Sequence, residues 1–365
     1  MRSALPLLLL ALLLSLTVMS LSGCPQAQEP SATAPSAAEP APAPGKDIAG
    51  GPVTLTFAAY TVPKEAYQKS VIPAFKKYWK DKTGQDVEFV ESYEASGAQS
   101  RAICSGLEAD VACLSLAADI DRIKDKGLIT HDWTSKPHKG MITNSVVALG
   151  VRLGNPKGIT RDWESIAKPG IEVLCPNPET SGGAQWDVNA IYGGGLKASE
   201  KKGRKDEAYA ADLLKRVRRN IKVMDKSGRA SMTTFEKGIG DVVITYENEL
   251  LLRNMVSEKY EIIIPDATLL IENPVAVVDV NADKHGVREV AEAFVDFLWT
   301  TEAQEGFGKY GLRPVDPEVF KRFADKYPTP PQLFTMEYLG GWEKVNKVIY
   351  GPDGLWTKIG RELTK

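Results

Sequence analysis

The chain has 365 residues, with 45 Lys+Arg against 47 Asp+Glu, 43% apolar content and four cysteines. That length calls for about two domains, and ordinary charged and aromatic contents exclude a disordered or fibrous chain. A net charge of −2 excludes bulk binding to nucleic acid, which needs a basic face, and the cysteines are too few for a disulfide scaffold and lack zinc-ligand spacing.

Three unlike segments follow one another. Arg2 is the only charge before residue 29, and 14 of the 18 residues from Ala4 to Leu21 are Ala, Leu, Val or Met. A short basic start, a leucine block and small residues after it read as a secretory signal, not as a membrane span. It ends in Leu21-Ser22-Gly23-Cys24, which resembles the lipobox of bacterial lipoproteins. That likeness implies a signal over 1–23, a lipid on Cys24 and attachment to a membrane outside the cytoplasm. Residues 25–50 hold six prolines, eight alanines and no aromatic residue. With its lipidated cysteine, 24–50 is predicted to be a partly extended tether with too little apolar surface to fold.

From residue 51 onward strands and helices alternate. The first strand is Val53–Ala58, followed by an amphipathic helix over 64–80 broken near Pro73, a strand at 86–90, a helix at 97–107, a strand at 111–116 and a helix at 119–126. Strands follow at 146–151 and 171–175, helices at 184–192 and 207–219, a short strand at 222–224 and a helix at 233–237. Then come a strand at 242–246, a helix at 247–258, strands at 261–264 and 275–280, and helices at 287–299, 301–309, 316–326 and 335–346. Short apolar strands between helices predict an α/β fold with mixed sheets covered on both faces, and the length predicts two lobes.

Catalytic patterns do not assemble. His131, His138 and His285 sit in polar turns with no partner at metal spacing, and read as surface residues. There is no Gly-x-Ser-x-Gly elbow and no P-loop lysine. Gly193-Gly194-Gly195 follows a helix and reads as its stop. Asp119 and Asp121 read as a solvated helix face. No acid, base and nucleophile come together, so no enzyme, cofactor or metal is predicted.

A turn that opens a helix after a strand does recur. Thr61 follows the first strand as a candidate N-cap, Ser96-Gly97 the second, Thr180-Ser181-Gly182-Gly183 the strand ending near Cys175, and Ser227-Gly228-Arg229 the strand near Met224. Each exposes the free N–H groups of a helix start, often with a hydroxyl and no bulky side chain. Four such turns suit a small dehydrated oxyanion held by neutral donors.

At these residues the sequence resembles the sulfate/thiosulfate-binding proteins of bacterial ABC importers. The likeness covers nearly all of 51–365, including Gly106-Leu107-Glu108-Ala109-Asp110, Gly154-Asn155-Pro156-Lys157, Pro176-Asn177-Pro178, Ser181-Gly182-Gly183-Ala184, Gly240-Asp241-Val242-Val243-Ile244, Tyr246-Glu247-Asn248-Glu249, Arg313-Pro314 and Gly340-Gly341-Trp342. It implies a two-lobed, type II periplasmic-binding-protein fold, with two crossover strands near Ser145–Ala148 and Asn273–Val277. Lobe I is then 51–145 with 278–365, and lobe II is 146–277. It also implies a ligand site of Thr61, Ser96, Ser181, Gly182, Gly183, Gly228 and Tyr246, with Arg229 behind the backbone donors. Glu94-Ala95 stand where the family usually has Gly-Gly, Glu91 where it has Gln, and Tyr246 where some members have an indole. Glu94 either faces solvent or accepts a proton from an anion such as hydrogen phosphate.

With Cys24 lipidated, Cys104, Cys113 and Cys175 remain, and they read as buried free thiols in preference to a 104–113 bridge. The sequence thus predicts a monomeric, lipid-anchored periplasmic or cell-surface receptor that delivers sulfate or thiosulfate to ABC permease subunits. The alternatives are a receptor for phosphate, molybdate or tungstate, and a sensory oxyanion receptor.

Overall fold

The computed structural model describes residues 51–256 and 260–363; the predicted signal, Cys24 and tether lie outside them. β1 (Val53–Tyr60) buries Leu55, Phe57 and Ala59 in one core and Ala58 in another, so both of its faces are covered. α1 runs through Lys64–Ala66, a π-helical turn at Tyr67–Val71 and Ile72–Thr83. Its Tyr67, Val71, Phe75 and Trp79 recur every four residues and fill the first of those cores. The break predicted near Pro73 does not occur. The wide turn just before it accommodates the ring and the missing N–H, and the helix continues.

β2 (Val87–Glu94), α2 (Ser96–Cys104), β3 (Val111–Cys113) and α3 (Ala117–Asp125) complete the first run, and β4 (Met141–Arg152) follows. Next come β5 (Val173–Leu174), α4 (Gly182–Glu200), α5 (Glu207–Asn220), β6 (Ile221–Val223), α6 (Gly228–Glu236), β7 (Val242–Tyr246), α7 (Glu247–Asn254) and β8 (Tyr260–Ile263). β9 (Ala267–Val277), α8 (Asp279–His285), α9 (Arg288–Phe297) and α10 (Thr301–Lys309) lead to the C-terminal part.

The strands order as β2-β1-β3-β9-β4-β7-β5-β6. β2, β1 and β3 are parallel, as are β7, β5 and β6. Between these halves lie β9 and β4, antiparallel to each other. β9 pairs with β4 from Leu270 to Pro274 and with β3 from Val275 to Val277. β4 pairs with β9 up to Val146 and with β7 from Val147. Both strands therefore change partner within the segments predicted as crossovers. The result is two lobes, each a mixed sheet flanked by helices and joined by two strands.

The chain after β9 divides between the lobes. α9 and α10 bury Phe294, Phe297 and Phe307 in the first-lobe core, and β10 (Arg313–Pro314), paired with β4, and α11 (Pro317–Lys321) follow. From β11 (Gln332–Phe334) onward the chain joins the other lobe, through α12 (Gly341–Val345, with a π turn over Asn346–Tyr350) and α13 (Leu355–Leu363). Phe334, Leu339, Ile349 and Trp356 share a core with Trp186, Leu213 and Ile244. Trp342 meets Trp186 edge to face at 4.9 Å. The sequence reading placed all of 278–365 in lobe I; the side chains of 332–363 pack with lobe II instead.

The three glycines at 193–195 do not stop a helix, because α4 passes through them to Glu200. They are thin spots for packing. A Cβ on Gly193 would stand 2.3 Å from the Phe334 ring, one on Gly194 2.3 Å from the Trp163 ring, and one on Gly195 2.8 Å from the Ala210 backbone. His138 is exposed, but His131 and His285 are half-buried and hydrogen-bonded, to Asp279 and to Asp110 and Glu108 respectively. Among the described residues, Cys104, Cys113 and Cys175 are free thiols.

Trp163 is anchored by its indole N–H to the Ala267 carbonyl at 2.7 Å, so its ring cannot swing away from α4. Gly194→Ala is therefore expected to lower folding stability by about 1–3 kcal/mol, despite alanine's better helix propensity. Urea denaturation of the two proteins checks this.

Candidate functional site

Three helix starts and one strand-end turn face each other across the cleft between the lobes. From the first lobe come α2, which begins at Ser96, and the Tyr60-Thr61-Val62 turn after β1. From the second come α4 and α6. Ser181 caps α4 by accepting from Ala184 N–H at 3.4 Å, and Ser227 caps α6 by accepting from Ala230 N–H at 3.2 Å. Thr61 caps no helix, since the first helical residues follow Pro63 without a side-chain cap. The first N–H groups of each helix have no partner within the helix, and the aligned peptides give that end positive character.

These elements line a small, partly open cavity in the cleft. Thr61, Ser96, Ser181, Gly183, Gly228 and Tyr246 all line it, together with Tyr60, Ser115, Asp187 and Thr245. Gly182 stands just behind the lining, and neither Arg229 nor Glu94 is part of it. The Glu94 side chain is 54% exposed, 4.0 Å from Lys226 on the opposite lobe. An ion pair so exposed adds little.

Of the four additional polar lining residues, Asp187 had a legible signal: it lies four positions after Gly183 on one helix, hence on the same face. Tyr60 and Thr245 each adjoin a residue already singled out. Ser115 had none, because it lies in a loop whose partners are distant in sequence.

The lobes touch through Ser115. Its carbonyl accepts the Trp186 indole N–H at 2.8 Å and the Asn273 amide at 3.4 Å. A Cβ on Gly182 would stand 2.1 Å from Ser115 Oγ and 2.9 Å from Leu116 Cγ. A second link is Arg229, at the start of α6, whose guanidinium donates twice to Glu65 at 2.6 and 2.7 Å on the other lobe. It also reaches the Thr61 and Val62 carbonyls at 3.5 and 3.4 Å and lies 2.8 Å from the buried carboxylate of Glu249. Burial alone would raise the Glu65 carboxyl, but the hydrogen bonds and charge of Arg229 hold it below its usual value.

Hydroxyls dominate the cavity wall. Tyr60 Oη, Ser115 Oγ and Tyr246 Oη are buried and, among the described residues, have no hydrogen-bond partner at normal length. Burial holds both phenols well above their usual pKa, so they remain neutral donors. The Ser96 hydroxyl is engaged elsewhere. It donates to Asp119 at 2.5 Å and accepts from Ser115 N–H at 3.0 Å, so Asp119 is a buried structural acceptor and not a solvated helix face. Among the described residues, no lysine or arginine lines the cavity. The wall can therefore hold a small acceptor-rich anion by neutral donors, excluding water and leaving no countercharge to titrate.

Two lobes, two crossover strands and a donor-lined cavity in the cleft define an extracytoplasmic solute receptor. The comparisons agree: residues 55–313 match the family described as bacterial extracellular solute-binding protein. A sulfate-binding protein of Synechococcus elongatus is 44% identical over 315 residues, covering 85% of this chain and 87% of that protein. A thiosulfate-binding protein of Pseudomonas aeruginosa is 35% identical, with 82% and 90% covered. The structure of the sulfate-binding protein SubI from Mycobacterium tuberculosis superposes with a TM-score of 0.74 at 36% identity, covering 81% of this chain and 99% of that one. A periplasmic thiamin-binding protein at 15% identity shares the fold alone, with a TM-score of 0.61. The chain belongs to the sulfate/thiosulfate-binding branch of the bacterial extracellular solute-binding proteins, a non-enzymatic family.

The contact at Gly182 gives a direct test of closure. Gly182→Ala is expected to keep the far-ultraviolet circular dichroism of the wild type but to hold the lobes apart. Small-angle scattering in the presence of solute should then give a larger radius of gyration than the wild type. An equal radius would mean that Ser115 and Leu116 yield to the added methyl.

Proposed function

We propose that this protein is the receptor of an ABC importer and captures sulfate or thiosulfate between its lobes for delivery to the permease. The observation that carries the reading is the cavity wall: helix starts and unpartnered hydroxyls without a cation. A fully ionised tetrahedral anion accepts from such donors on every side and needs no lysine. The relatives named as sulfate- and thiosulfate-binding support it.

In this reading Thr61, Ser96, Gly182, Gly183 and Gly228 contribute backbone N–H groups, and Ser181 and Tyr246 contribute hydroxyls. Ser96 acts through its N–H, its hydroxyl being bonded to Asp119. Arg229 does not touch the anion. It ties α6 to Glu65 and to the carbonyls of Thr61 and Val62, holding the donor-bearing turns together across the cleft. Glu94 faces solvent beside Lys226 and repels nothing in the cavity. The lobes divide at 145/146 and 277/278, with 332–363 moving as part of lobe II. Before export is complete the chain carries a signal over 1–23; afterwards a lipid on Cys24 and the 24–50 tether hold a monomeric receptor at the outer face of a membrane.

Calorimetry of the mature chain with sulfate, thiosulfate, molybdate and phosphate tests the reading. Sulfate or thiosulfate is expected to bind far more tightly than phosphate; phosphate as the sole tight ligand would overturn it. Tyr246→Phe removes a buried hydroxyl and is expected to raise the sulfate Kd by about 10- to 100-fold, the range for a hydrogen bond to a charged partner. Cys24→Ser is expected to move the protein from the membrane to the soluble fraction of expressing cells and to abolish incorporation of labelled palmitate.

A further inference from the structure

Among the described residues, Asp187 is the only carboxyl in the cavity wall. It projects from α4 and has no solvent exposure. Its Oδ1 has no hydrogen-bond partner, and its Oδ2 has only the Cys175 thiol at 4.0 Å. The titratable groups around it are Cys175 from the end of β5, Tyr246 from the end of β7 and Tyr350 from the π turn of α12. All three are buried and neutral. The Tyr350 hydroxyl donates to the backbone and side chain of α4, at Gln185 O and Asn189 Oδ1. Among the described residues no lysine, arginine or histidine forms an ion pair with Asp187.

An unpaired carboxylate in such a place is costly, by several kcal/mol for desolvation alone. A dianion in the same cavity would add direct repulsion. The protonated acid avoids both, and its O–H is one more donor beside Tyr60, Ser115 and Tyr246. Burial accordingly moves this carboxyl well above the usual carboxylate range.

We infer that Asp187 determines specificity at this site: it stands in the cavity as an un-ionised acid whose O–H donates to the captured dianion. Sulfate and the Asp187 proton are then held together. An ionised Asp187 would instead select an anion that carries its own proton, as hydrogen phosphate does. The inference rests on the sulfate or thiosulfate reading above.

The linkage has a definite sign. Sulfate remains a dianion throughout the neutral and alkaline range, so its own titration does not interfere. Where Asp187 of the free protein is protonated, binding exchanges no proton. Where it is ionised, binding takes up one proton and affinity falls up to tenfold per pH unit.

The test uses the wild type, Asp187→Asn and Asp187→Ala. Infrared difference spectra of the sulfate complex at pH 8, wild type minus Asp187→Asn, are expected to show the C=O stretch of a protonated carboxylic acid. The isosteric asparagine keeps an amide donor, and its sulfate Kd is expected to stay within about tenfold of wild type. The alanine, with no donor, is expected to lose about 10- to 100-fold. The spectrum reads Asp187 itself, and a variant that failed to fold would lose its circular dichroism as well as binding. A difference spectrum without the acid band, or an asparagine variant that binds sulfate more than tenfold tighter, would show an ionised, repelling Asp187 and overturn the inference alone. A wild type that binds neither sulfate nor thiosulfate overturns the underlying reading and the inference with it.

Discussion

The site depends on one missing side chain. Gly182 opens α4 against Ser115, with 2.1 Å between the position of a Cβ and the serine hydroxyl oxygen. That approach brings a helix start of one lobe against a loop of the other. It also lets the Trp186 indole reach the Ser115 carbonyl and puts Asp187 and Gly183 on the cavity wall. A side chain at 182 would press on the Ser115 hydroxyl and on Leu116, and any separation of the lobes that followed would weaken the bonds between them, because directional bonds weaken steeply beyond their normal length.

Charge is arranged around this contact so that none of it faces the cavity unpaired. The cation at the start of α6, Arg229, turns away into Glu65 and Glu249. Its ion pair with Glu65 crosses the cleft, so the guanidinium links the lobes without touching their contents. The Arg313–Glu247 pair is buried just beyond the hinge, bidentate at 2.7 and 2.9 Å. It fixes the register of the segment after α10 against the start of α7. Partnered buried charges of this kind add little net stability over an apolar pair, but breaking one is costly, so they favour a single arrangement.

The C-terminal segment supports the same geometry from behind. Trp342 packs on Trp186, Phe334 fills the notch at Gly193, and Tyr350 bonds to the first turns of α4. A helix that must present its N-terminus accurately is thereby held along its length by three separate stretches of chain: β11, α12 and α5. The triple glycine permits it, since a helix with side chains at 193–195 could not be approached so closely.

Much of this was legible in the sequence, because it is local. The strand–helix alternation and the Ser-Gly helix starts come from patterns a few residues long, the two crossover segments come from the family resemblance, and all appear in the fold. The misreadings have one cause. Gly193–Gly195 and Pro73 carry strong local signals for a break, but tertiary contacts and a π turn outweigh them. The family resemblance places the C-terminal tail in lobe I, whereas its Phe334, Leu339, Ile349 and Trp356 pack with Trp186 and Ile244 of lobe II. What the sequence determined by itself is the kind of donor available: helix N–H groups and hydroxyls spaced along an α/β chain. Which of them stay unpartnered was decided only by tertiary structure. Ser96 and Asp119 pair across 23 residues and Trp186 and Ser115 across 71, while Asp187 is left buried with only the Cys175 thiol beside it among the described residues. Contacts between residues so far apart leave no periodic or neighbouring signal, and it is those contacts that select the groups left to face a ligand.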